Sequence, residues 1–277
     1  MFNIKDFDKQ KYLDTLKQIK NTNLNTICIE ANCPNRYECF SKNTATFLVL
    51  GNICTRNCKY CNVKKGIIGE DNLDEKQNIL NAIDKMKLEY VVLTQVTRDD
   101  LGDSGASYIS DLVKAIKSKY ENVKVEVLIS DLKGNTDDLE IILDSKPDVL
   151  NHNIEVVERL FESLRSKGSY IDSLKILNHV KKYDDNIKVK SGLMVGFDEN
   201  NHEIEKTLSD LNKNGVDIVT IGQYLRPNSD CVKVSKMYSE EEFKQLSDLG
   251  LSIGLSKVIA GRFVRSSYEA KESYDGS

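Results

Sequence analysis

Apolar residues recur along this chain in two alternating patterns, one typical of buried strands and the other of helices. Six short runs are rich in β-branched residues and almost continuously apolar, as expected for strands that are covered on both faces. These predicted strands span residues 45–50, 89–94, 123–130, 147–151, 188–195 and 216–223. Between them apolar residues return every three or four positions, as in Ile79, Ile83 and Met86, which is the spacing of one helix face.

Six alternations of strand and helix predict a parallel sheet with right-handed crossovers, because parallel neighbours need a long connection that a helix usually supplies. A complete eight-unit barrel takes about 250 residues, whereas the alternation here fits within residues 44–250. The predicted fold is therefore α/β, a partial (β/α)6 TIM-like barrel. It is flanked by an N-terminal extension, residues 1–43, and a C-terminal extension, residues 251–277. With three prolines and no linker rich in Gly and Ser, the whole chain, 1–277, is predicted to be a single domain.

Composition and charge exclude several classes of function. Lys and Arg number 39 against 43 Asp and Glu, a formal net charge of −4, whereas a general nucleic-acid binder would carry a basic excess. The chain is 40% hydrophobic and 30% charged, which is typical of a soluble protein with a large core. It starts without an apolar run, and no apolar segment approaches the length of a membrane span. We therefore expect a cytoplasmic protein without nucleic-acid or membrane partners.

Cysteine is the unusual residue type in this composition. Six of the seven cysteines lie within residues 28–61, where even scatter would put about one. The exception, Cys231, belongs to no spacing motif, and a lone cysteine is usually a small buried apolar residue. In a chain without a secretory signal, such clustering favours metal binding or redox chemistry over disulfides.

The second half of this cluster, Cys54, Cys58 and Cys61, has the spacing C-x3-C-x2-C and directly follows the first predicted strand. Three thiolates on one tight loop can bind three irons of a [4Fe–4S] cube. Since no fourth cysteine is near, one iron is left open for a substrate. A structural zinc site would close four ligands, usually as two separated C-x2-C pairs, so a zinc knuckle and accidental clustering are both less favoured.

With Tyr60 before the last cysteine and a predicted partial barrel behind it, this motif resembles that of the radical SAM superfamily. The resemblance implies that the open iron binds the amino and carboxylate groups of S-adenosylmethionine. An electron from the reduced cluster would cleave this cofactor and release a 5′-deoxyadenosyl radical, so no side-chain acid or base is expected to carry the chemistry. The position after a strand also agrees with where barrel enzymes build their sites.

The first half of the cysteine cluster, Cys28, Cys33 and Cys39, has the spacing C-x4-C-x5-C and lies before the barrel. Three more thiolates imply a second cluster, again one protein ligand short. Here the resemblance narrows to the lipoyl synthase family. It continues in blocks at residues 97–101, 151–155, 190–194, 222–225 and 264–268.

Resemblance to this family implies that the first triad holds an auxiliary [4Fe–4S] cluster, from which the inserted sulfur atoms are drawn. The fourth ligand comes from an Arg-Ser-Ser-Tyr motif whose second serine is Ser267. Ser266 and Cys231 stay open as alternatives. An alkoxide is a less natural partner than a thiolate for this iron, which suits a cluster that is dismantled. For Ser267 to reach the first triad, both extensions must lie over the barrel mouth.

The resemblance further implies that residues at strand ends and beside the cysteines bind S-adenosylmethionine. The expected contacts are Tyr60, Thr94, Gln95, Thr97, Asn151, Asn153, Glu155, Lys190, Met194, Gln223 and Arg226. Without the resemblance, a methionine such as Met194 would be assigned simply to the core. Two segments depart from the family pattern. Residues 197–200 replace the usual Gly-Glu-Thr run, and Arg262 and Phe263 stand where a proline usually precedes the Arg-Ser-Ser-Tyr motif.

The implied activity is insertion of two sulfur atoms at C6 and C8 of an octanoyl group on a lysine, which gives the lipoyl cofactor. The implied partners are an octanoylated carrier domain, either a dehydrogenase E2 subunit or the glycine-cleavage H protein, and an electron donor such as ferredoxin or flavodoxin. Two alternatives are a biotin-synthase-like enzyme that inserts sulfur into a free small molecule and a non-enzymatic iron–sulfur carrier. Charge is expected to steer the carrier through basic residues near the cysteines. These residues are Arg36, Arg56, Lys59, Lys64 and Lys65.

Overall fold

The computed structural model describes residues 8–22, 24–41, 46–66 and 75–275. Its strands are, in chain order, β1 (Thr46–Val49), β2 (Ile53–Cys54), β3 (Lys64–Lys65), β4 (Tyr90–Gln95), β5 (Lys124–Leu128), β6 (Val149–Asn151), β7 (Lys188–Val195), β8 (Ile218–Gln223) and β9 (Lys257–Gly261). Its helices are α1 (Lys9–Asn21), α2 (Ile27–Glu30), α3 (Arg36–Ser41), α4 (Glu75–Met86), α5 (Ala106–Lys119), α6 (Thr136–Leu143), α7 (Glu158–Leu164), α8 (Tyr170–Tyr183), α9 (Asn201–Lys213), α10 (Glu240–Ile253) and α11 (Ala270–Asp275). The predicted start of the barrel, at residues 43–44, lies outside the described residues.

Seven strands form one parallel sheet in the order β1-β4-β5-β6-β7-β8-β9. Strands that follow one another in the chain are neighbours in the sheet, and helices connect them. This arrangement confirms the predicted α/β class with a parallel sheet. Each of the six predicted strands overlaps an observed one, because a continuous β-branched run marks a parallel strand that is buried on both faces.

Two elements differ from the sequence-based expectation. Strand β9 adds a seventh strand within the segment predicted to be the C-terminal extension, and every residue in it is only partly buried. Apolar residues recur at helical spacing from Ile154 to Leu164 and predict a helix there, but α7 begins only at Glu158. The preceding residues instead pair with β7: the Glu155 amide donates to the Gly192 carbonyl oxygen at 2.9 Å, and the Met194 amide donates to the Glu155 carbonyl oxygen at 2.8 Å.

The helix faces predicted from apolar spacing pack against the sheet. On α5, the four apolar residues at helical spacing are Ile109, Leu112, Val113 and Ile116, each at most 1% exposed. Burial of a side chain of this size contributes about 1.5–3 kcal/mol to folding. Capping boxes start two of the later helices, with Asn200 and Glu203 at α9 and an equivalent pair at α10.

The two extensions meet each other beside the sheet. The N-terminal extension joins the sheet at β1, where the Leu48 amide donates to the Asn25 carbonyl oxygen at 2.9 Å. After β9, the chain returns to the N-terminal extension: Asn35 Nδ2 donates to the Phe263 carbonyl oxygen at 2.6 Å. The Tyr268 hydroxyl lies 3.3 Å from both carboxylate oxygens of the α3 residue Glu38. Along the described ranges, no helix has the length and apolar content needed to cross a membrane.

Candidate active site

A cavity of about 520 Å³ opens at the carboxyl ends of the parallel strands, which is where barrel folds build their ligand sites. Strands β4, β7 and β8 line it with residues at or near their ends, among them Gln95, Met194 and Gly222. Five of the six clustered cysteines also line it, namely Cys28, Cys33, Cys54, Cys58 and Cys61. The fold therefore brings residues of both triads to one space.

Arg56 anchors the loop that carries the second triad. Its guanidinium donates to both carboxylate oxygens of Asp99, at 2.8 and 2.9 Å, and to both of Asp131, at 2.6 and 2.7 Å. Burial opposes ionisation of Asp131, yet the guanidinium holds the pKa of that carboxyl at about 2. Two bidentate pairs fix the direction of the guanidinium as well as its position. The loop is thereby tied to the segments that follow β4 and β5.

The pairing of Arg56 corrects the expectation that this residue steers a partner. Only 3% of its side chain is exposed, and two carboxylates already neutralise its charge. Lys59, Lys64 and Lys65 are exposed and Arg36 is partly exposed. Of the five basic residues expected to steer a partner, only these four are therefore left to do so.

The thiols in the cavity wall do not have the properties of activated nucleophiles. Burial raises the pKa of Cys28 to about 11 and that of Cys61 to about 12, whereas reactive cysteines have a lowered pKa. A bound metal removes the proton from its thiol ligand. Among the described residues, no three His, Cys, Asp or Glu side chains converge on one point that could hold a single ion. A cube does not need such convergence, since each thiolate binds a different iron.

Most of the expected cofactor contacts lie in the wall of this cavity. The eight that line it are Tyr60, Thr94, Gln95, Thr97, Asn153, Glu155, Met194 and Arg226. They come from the cysteine loop, from the ends of β4 and β7, and from the segments after β6 and β8. The sequence blocks are therefore brought together in space around the second triad.

Two expected contacts, Asn151 and Lys190, lie deeper in the barrel and do not line the cavity. Both side chains bind the fully buried carboxylate of Glu126, Asn151 through Nδ2 at 2.8 Å and Lys190 through Nζ at 3.2 Å. The hydroxyl of Tyr90 donates to the same carboxylate at 2.8 Å. The register of the two strands explains this depth. Strand β6 is short, and Asn151, its last residue, pairs with Lys190 near the start of β7. The expectation that these two residues contact the cofactor is corrected accordingly.

Gln223 is also absent from the cavity wall. Its Nε2 donates to the carbonyl oxygens of Val195 and Lys236, at 3.2 and 2.9 Å, and its Oε1 accepts from the Tyr238 amide at 2.9 Å. The side chain thus joins the ends of β7 and β8 to the segment before α10. Gln223 is a structural clamp in this fold, not the expected cofactor contact.

Residues 197–200, which differ from the family's usual Gly-Glu-Thr run, have a local structural role. The Glu199 carboxylate accepts from the amides of Gly196 and Phe197, at 2.6 and 2.8 Å, and from the Tyr238 hydroxyl at 2.9 Å. Asn200 then caps α9. This run closes the turn between β7 and α9.

Arg165 is a cavity residue that sequence reasoning missed. It directly follows α7, is 7% exposed, and donates through Nη1 to the Asn153 carbonyl oxygen at 2.7 Å. Burial, together with the nearby Arg165 charge, lowers the pKa of His152 to about 4, so this histidine is neutral at physiological pH. Arg165 therefore brings a buried positive charge to the same wall as the Glu155 carboxylate. No spacing pattern in the sequence marks it.

Glu155 adopts a backbone conformation that is rare for its residue type, with a φ of +67°. Its backbone is held there by the pairing with β7, and its side chain lines the cavity. Asn153 Nδ2 donates to its Oε1 at 3.2 Å, while burial raises the pKa of Glu155. Left-handed backbone at a residue other than glycine costs free energy and is concentrated at functional sites. The strain here is associated with a carboxylate directed at the cavity.

Ser267 lies beside the first triad despite its distance along the chain. A second, smaller cavity is lined by Ser267 together with all three cysteines of that triad, Cys28, Cys33 and Cys39. Cys231 lines neither cavity; it is buried, and its Sγ lies 3.7 Å from the carbonyl oxygen of Cys61. Of the three candidates for a fourth donor at this triad, only Ser267 lines the cavity that is also lined by all three of its cysteines.

Two glycines create the space through which the C-terminal segment crosses the strand ends. A Cβ built on Gly222 of β8 would overlap the carbonyl oxygen of Val264. A Cβ on Gly192 of β7 would lie 2.9 Å from Ser266 Oγ. Glycine inside a strand commonly marks such a close approach of another backbone. These glycines lie in the blocks at residues 222–225 and 190–194 noted in the sequence.

Substitution of Gly222 by Ala is expected to displace residues 264–268. The added methyl group has no room beside Val264, and overpacking of this kind costs about 1–3 kcal/mol. Hydrogen exchange measured by mass spectrometry should show faster amide exchange in this segment, by about tenfold or more. Gly102→Ala is the matched control, because a Cβ there meets no atom within 4 Å. Equal exchange in both variants would contradict this account of Gly222.

Comparison with known proteins identifies the family. Residues 48–211, more than half of the chain, match the model of the Radical SAM superfamily. A lipoyl synthase from Caldicellulosiruptor bescii is 46% identical over 266 residues, which cover 96% of this chain and 91% of that protein. The chain belongs to the lipoyl synthase family. A second lipoyl synthase, from Alkaliphilus metalliredigens, is 44% identical over 93% of this chain and 89% of that protein.

This membership confirms the resemblance read from the sequence, and it makes the chain a radical SAM enzyme. A solved structure of a maturase of the [FeFe]-hydrogenase has a similar fold, with a TM-score of 0.60 over 98% of this chain and 75% of that chain. Because the two sequences are 14% identical, this likeness supports the fold and no shared function. In this member of the family, Cys28 and Cys33 of the first triad and all three cysteines of the second line the cavity at the carboxyl ends of the strands.

Proposed function

We propose that this chain inserts two sulfur atoms, at C6 and C8, into an octanoyl group carried on a lysine of a carrier domain, and so forms the lipoyl cofactor. The observation that carries the proposal is that five cysteines of the two triads and Ser267 line one cavity of about 520 Å³. A carbon radical formed at one end of this space must meet sulfur held at the other. Such a reaction gains most of its rate from holding the partners in one site.

Cys54, Cys58 and Cys61 are the proposed ligands of the radical SAM [4Fe–4S] cluster. The donor set fits, because three thiols on an anchored loop leave one iron open. When bound, this cluster and the auxiliary one supply the electron that cleaves S-adenosylmethionine and the sulfur that enters the product. The protein's own contribution is to hold the loop in place through the ion pairs of Arg56 with Asp99 and Asp131.

Opposite charges in the cavity wall are proposed to orient S-adenosylmethionine. Glu155, which is partly buried, suits the positively charged ammonium and sulfonium groups, and the buried Arg165 suits the carboxylate. Thr94 and Gln95, at the end of β4, add neutral polar groups to this wall, and Met194 adds an apolar surface. The side chains of Tyr60, Thr97, Asn153 and Arg226 complete the proposed set.

Cys28, Cys33, Cys39 and Ser267 are the proposed ligands of the auxiliary [4Fe–4S] cluster. Three cysteines and one serine line the same small cavity. A serine oxygen is a harder donor than a cysteine sulfur, so it binds this iron less firmly than a fourth cysteine would. The residue set thus suits a cluster from which sulfur is taken rather than one that is only passed electrons.

The two alternatives fit these observations less well. A biotin-synthase-like enzyme for a free small molecule would not account for Ser267 beside the first triad. A non-enzymatic carrier of clusters has no need of a cavity lined by Glu155, Arg165 and the ends of several strands. Release of methionine from S-adenosylmethionine by the reduced protein would exclude the carrier.

The proposed partners are an octanoylated carrier domain, from a dehydrogenase E2 subunit or the glycine-cleavage H protein, and a ferredoxin or flavodoxin as electron donor, all in the cytoplasm. The exposed Lys59, Lys64 and Lys65 lie in or directly after the cysteine loop. They place positive charge within a few residues of the second triad, in a chain whose net charge is −4. An acidic carrier surface would therefore be attracted to this part of the protein.

The variants Ser267→Cys and Ser267→Ala are expected to fail in different ways. Cysteine should hold the departing iron firmly, so the protein keeps about eight irons per chain but loses lipoyl formation. Alanine removes the donor, so iron retention at the first triad should fall. Iron and sulfide analysis with a product assay measures both effects, and Ser247→Ala, on α10 outside the cavity, is the control. Normal lipoyl formation by both Ser267 variants would mean that another group is the ligand.

Anaerobic reconstitution followed by assay on an octanoylated carrier peptide tests the proposed function directly. We expect about eight irons and eight sulfides per chain, the content of two cubes, and a product that carries two added sulfur atoms. Recovery of about four irons would contradict the two-cluster proposal. Cleavage of S-adenosylmethionine without sulfur incorporation into any octanoylated carrier would contradict the proposed substrate.

A further inference from the structure

A continuous chain of hydrogen bonds joins the C-terminal segment to the wall of the proposed cofactor pocket. Ser266 Oγ donates to Asn153 Oδ1 at 2.8 Å, and Asn153 Nδ2 donates to Glu155 Oε1 at 3.2 Å. Each group along the chain donates to the next, so the dipoles align and strengthen one another. The neighbour of Ser266 is Ser267, which lies in the small cavity with the first triad. The chain of bonds thus runs between the two halves of the site.

The surroundings of this connection are built to hold it. Arg165 fixes the Asn153 backbone from one side through the 2.7 Å bond to its carbonyl oxygen. On the other side, a Cβ at Gly192 would lie 2.6 Å from Asn153 Oδ1 and 2.9 Å from Ser266 Oγ. A side chain at residue 192 would therefore occupy the space that the hydrogen bond needs. Glu155 is itself held in left-handed backbone conformation by its pairing with β7.

We propose that Ser266 is a positioning residue that couples S-adenosylmethionine binding beside Glu155 to the ligation state of Ser267. When Ser267 is held at the auxiliary cluster, its neighbour Ser266 is held against Asn153, and the Asn153 amide stays directed at the Glu155 carboxylate. A pocket wall that is already ordered binds its ligand more tightly than one that must be ordered on binding. The coupling is reciprocal, so bound cofactor also favours the conformation that keeps Ser267 at the first triad. This inference rests on the cluster and cofactor sites of the proposed function.

A thermodynamic cycle on the binding of S-adenosylmethionine tests the coupling without turnover. The dissociation constant is measured by anaerobic equilibrium dialysis, without reductant, for the reconstituted wild type, Ser266→Ala, Cys33→Ala, which lacks the auxiliary cluster, and the double variant. Each single change should weaken binding about threefold to tenfold, the range that one hydrogen bond supplies. The double variant should bind no more weakly than either single one, because both changes break the same connection. Ser247→Ala, whose hydroxyl donates to the Val258 carbonyl oxygen away from the cavity, should match the wild type.

Two results would overturn the coupling. One is unchanged affinity in either Ser266→Ala or Cys33→Ala. The other is a double variant whose loss equals the product of the two single losses. If Ser266→Ala does not fold or load its radical cluster, Gly192→Ala replaces it with the same expected outcomes, since its methyl group breaks the bond while both partners remain. If the wild type forms lipoyl product but the cycle shows no coupling of the two changes, the coupling alone is rejected. If the cycle shows coupling but the wild type inserts no sulfur, the proposed function alone is rejected.

Discussion

Changing Cys58 to Ala is expected to reduce cleavage of S-adenosylmethionine by at least about 10³-fold, equivalent to about 4 kcal/mol in the activation barrier. The substitution removes one of three thiols from the anchored loop, so no cluster with one open iron can bind the cofactor or deliver its electron. The same result is expected for Cys54 and Cys61. Formation of 5′-deoxyadenosine by the reduced, anaerobic protein measures the effect.

The auxiliary cluster should survive this change, so about four irons per chain remain. Cys231→Ala is the matched control, because this buried cysteine lines neither cavity, and it should cleave the cofactor as the wild type does. A variant without all three thiols of the second triad that still makes 5′-deoxyadenosine would refute the assignment of that triad.

Changing Cys33 to Ala is expected to give the opposite pattern. Lipoyl formation should fall to background, at least about 10³-fold, because the first triad no longer holds the proposed sulfur source. The radical cluster is bound by a separate loop that Arg56 anchors to Asp99 and Asp131, so cleavage of S-adenosylmethionine should continue. Parallel assays of 5′-deoxyadenosine and of lipoylated peptide separate the two activities.

Any coupling through Ser266 would change the affinity for the cofactor by about threefold to tenfold, which saturating S-adenosylmethionine overcomes in this assay. Cys39→Ala provides an independent variant of the same triad. Normal lipoylated product from either protein would mean that the sulfur has another origin.

The sequence pattern predicted the main sheet well because of how parallel strands are buried. Strands β4, β5 and β8 are covered on both faces, so their apolar, β-branched runs are nearly continuous. Strand β9 was missed because it lies at the edge of the sheet, where each of its five residues is only partly buried. Its apolar run is confined to Val258, Ile259 and Ala260, between a lysine and a glycine.

The depth of a side chain within the barrel was harder to predict than its strand. Asn151 and Lys190 follow the order of the sequence blocks, yet the short β6 pairs with the beginning of β7 and leaves both beside Glu126. Register between strands decides this position, and a single sequence does not reveal it. Gln223 was misassigned for a related reason, since its partners lie in a loop that follows later in the chain.

The charges of the site were predicted only in part. The spacing of the cysteines identifies them as candidate ligands, and the Arg-Ser-Ser-Tyr motif identifies Ser267. Arg165, which follows a helix, carries no such signal; it lines the cavity with its guanidinium bound to the Asn153 carbonyl oxygen. From the sequence, Arg56 would be expected to lie on the surface. In the structure it is buried and forms ion pairs with Asp99 and Asp131, which lie far from it along the chain. Such long-range pairings arise from tertiary structure and leave no periodic trace.

The central claim, that the product sulfur comes from a cluster held by this chain, is tested most directly by isotope labelling. Protein reconstituted with isotopically heavy sulfide undergoes a single turnover with an octanoylated carrier peptide, and ordinary sulfide is added to the buffer. We predict a lipoylated peptide in which both sulfur atoms are heavy, and in Cys33→Ala no sulfur-containing product. A wild-type product that carries only ordinary sulfur would contradict the account.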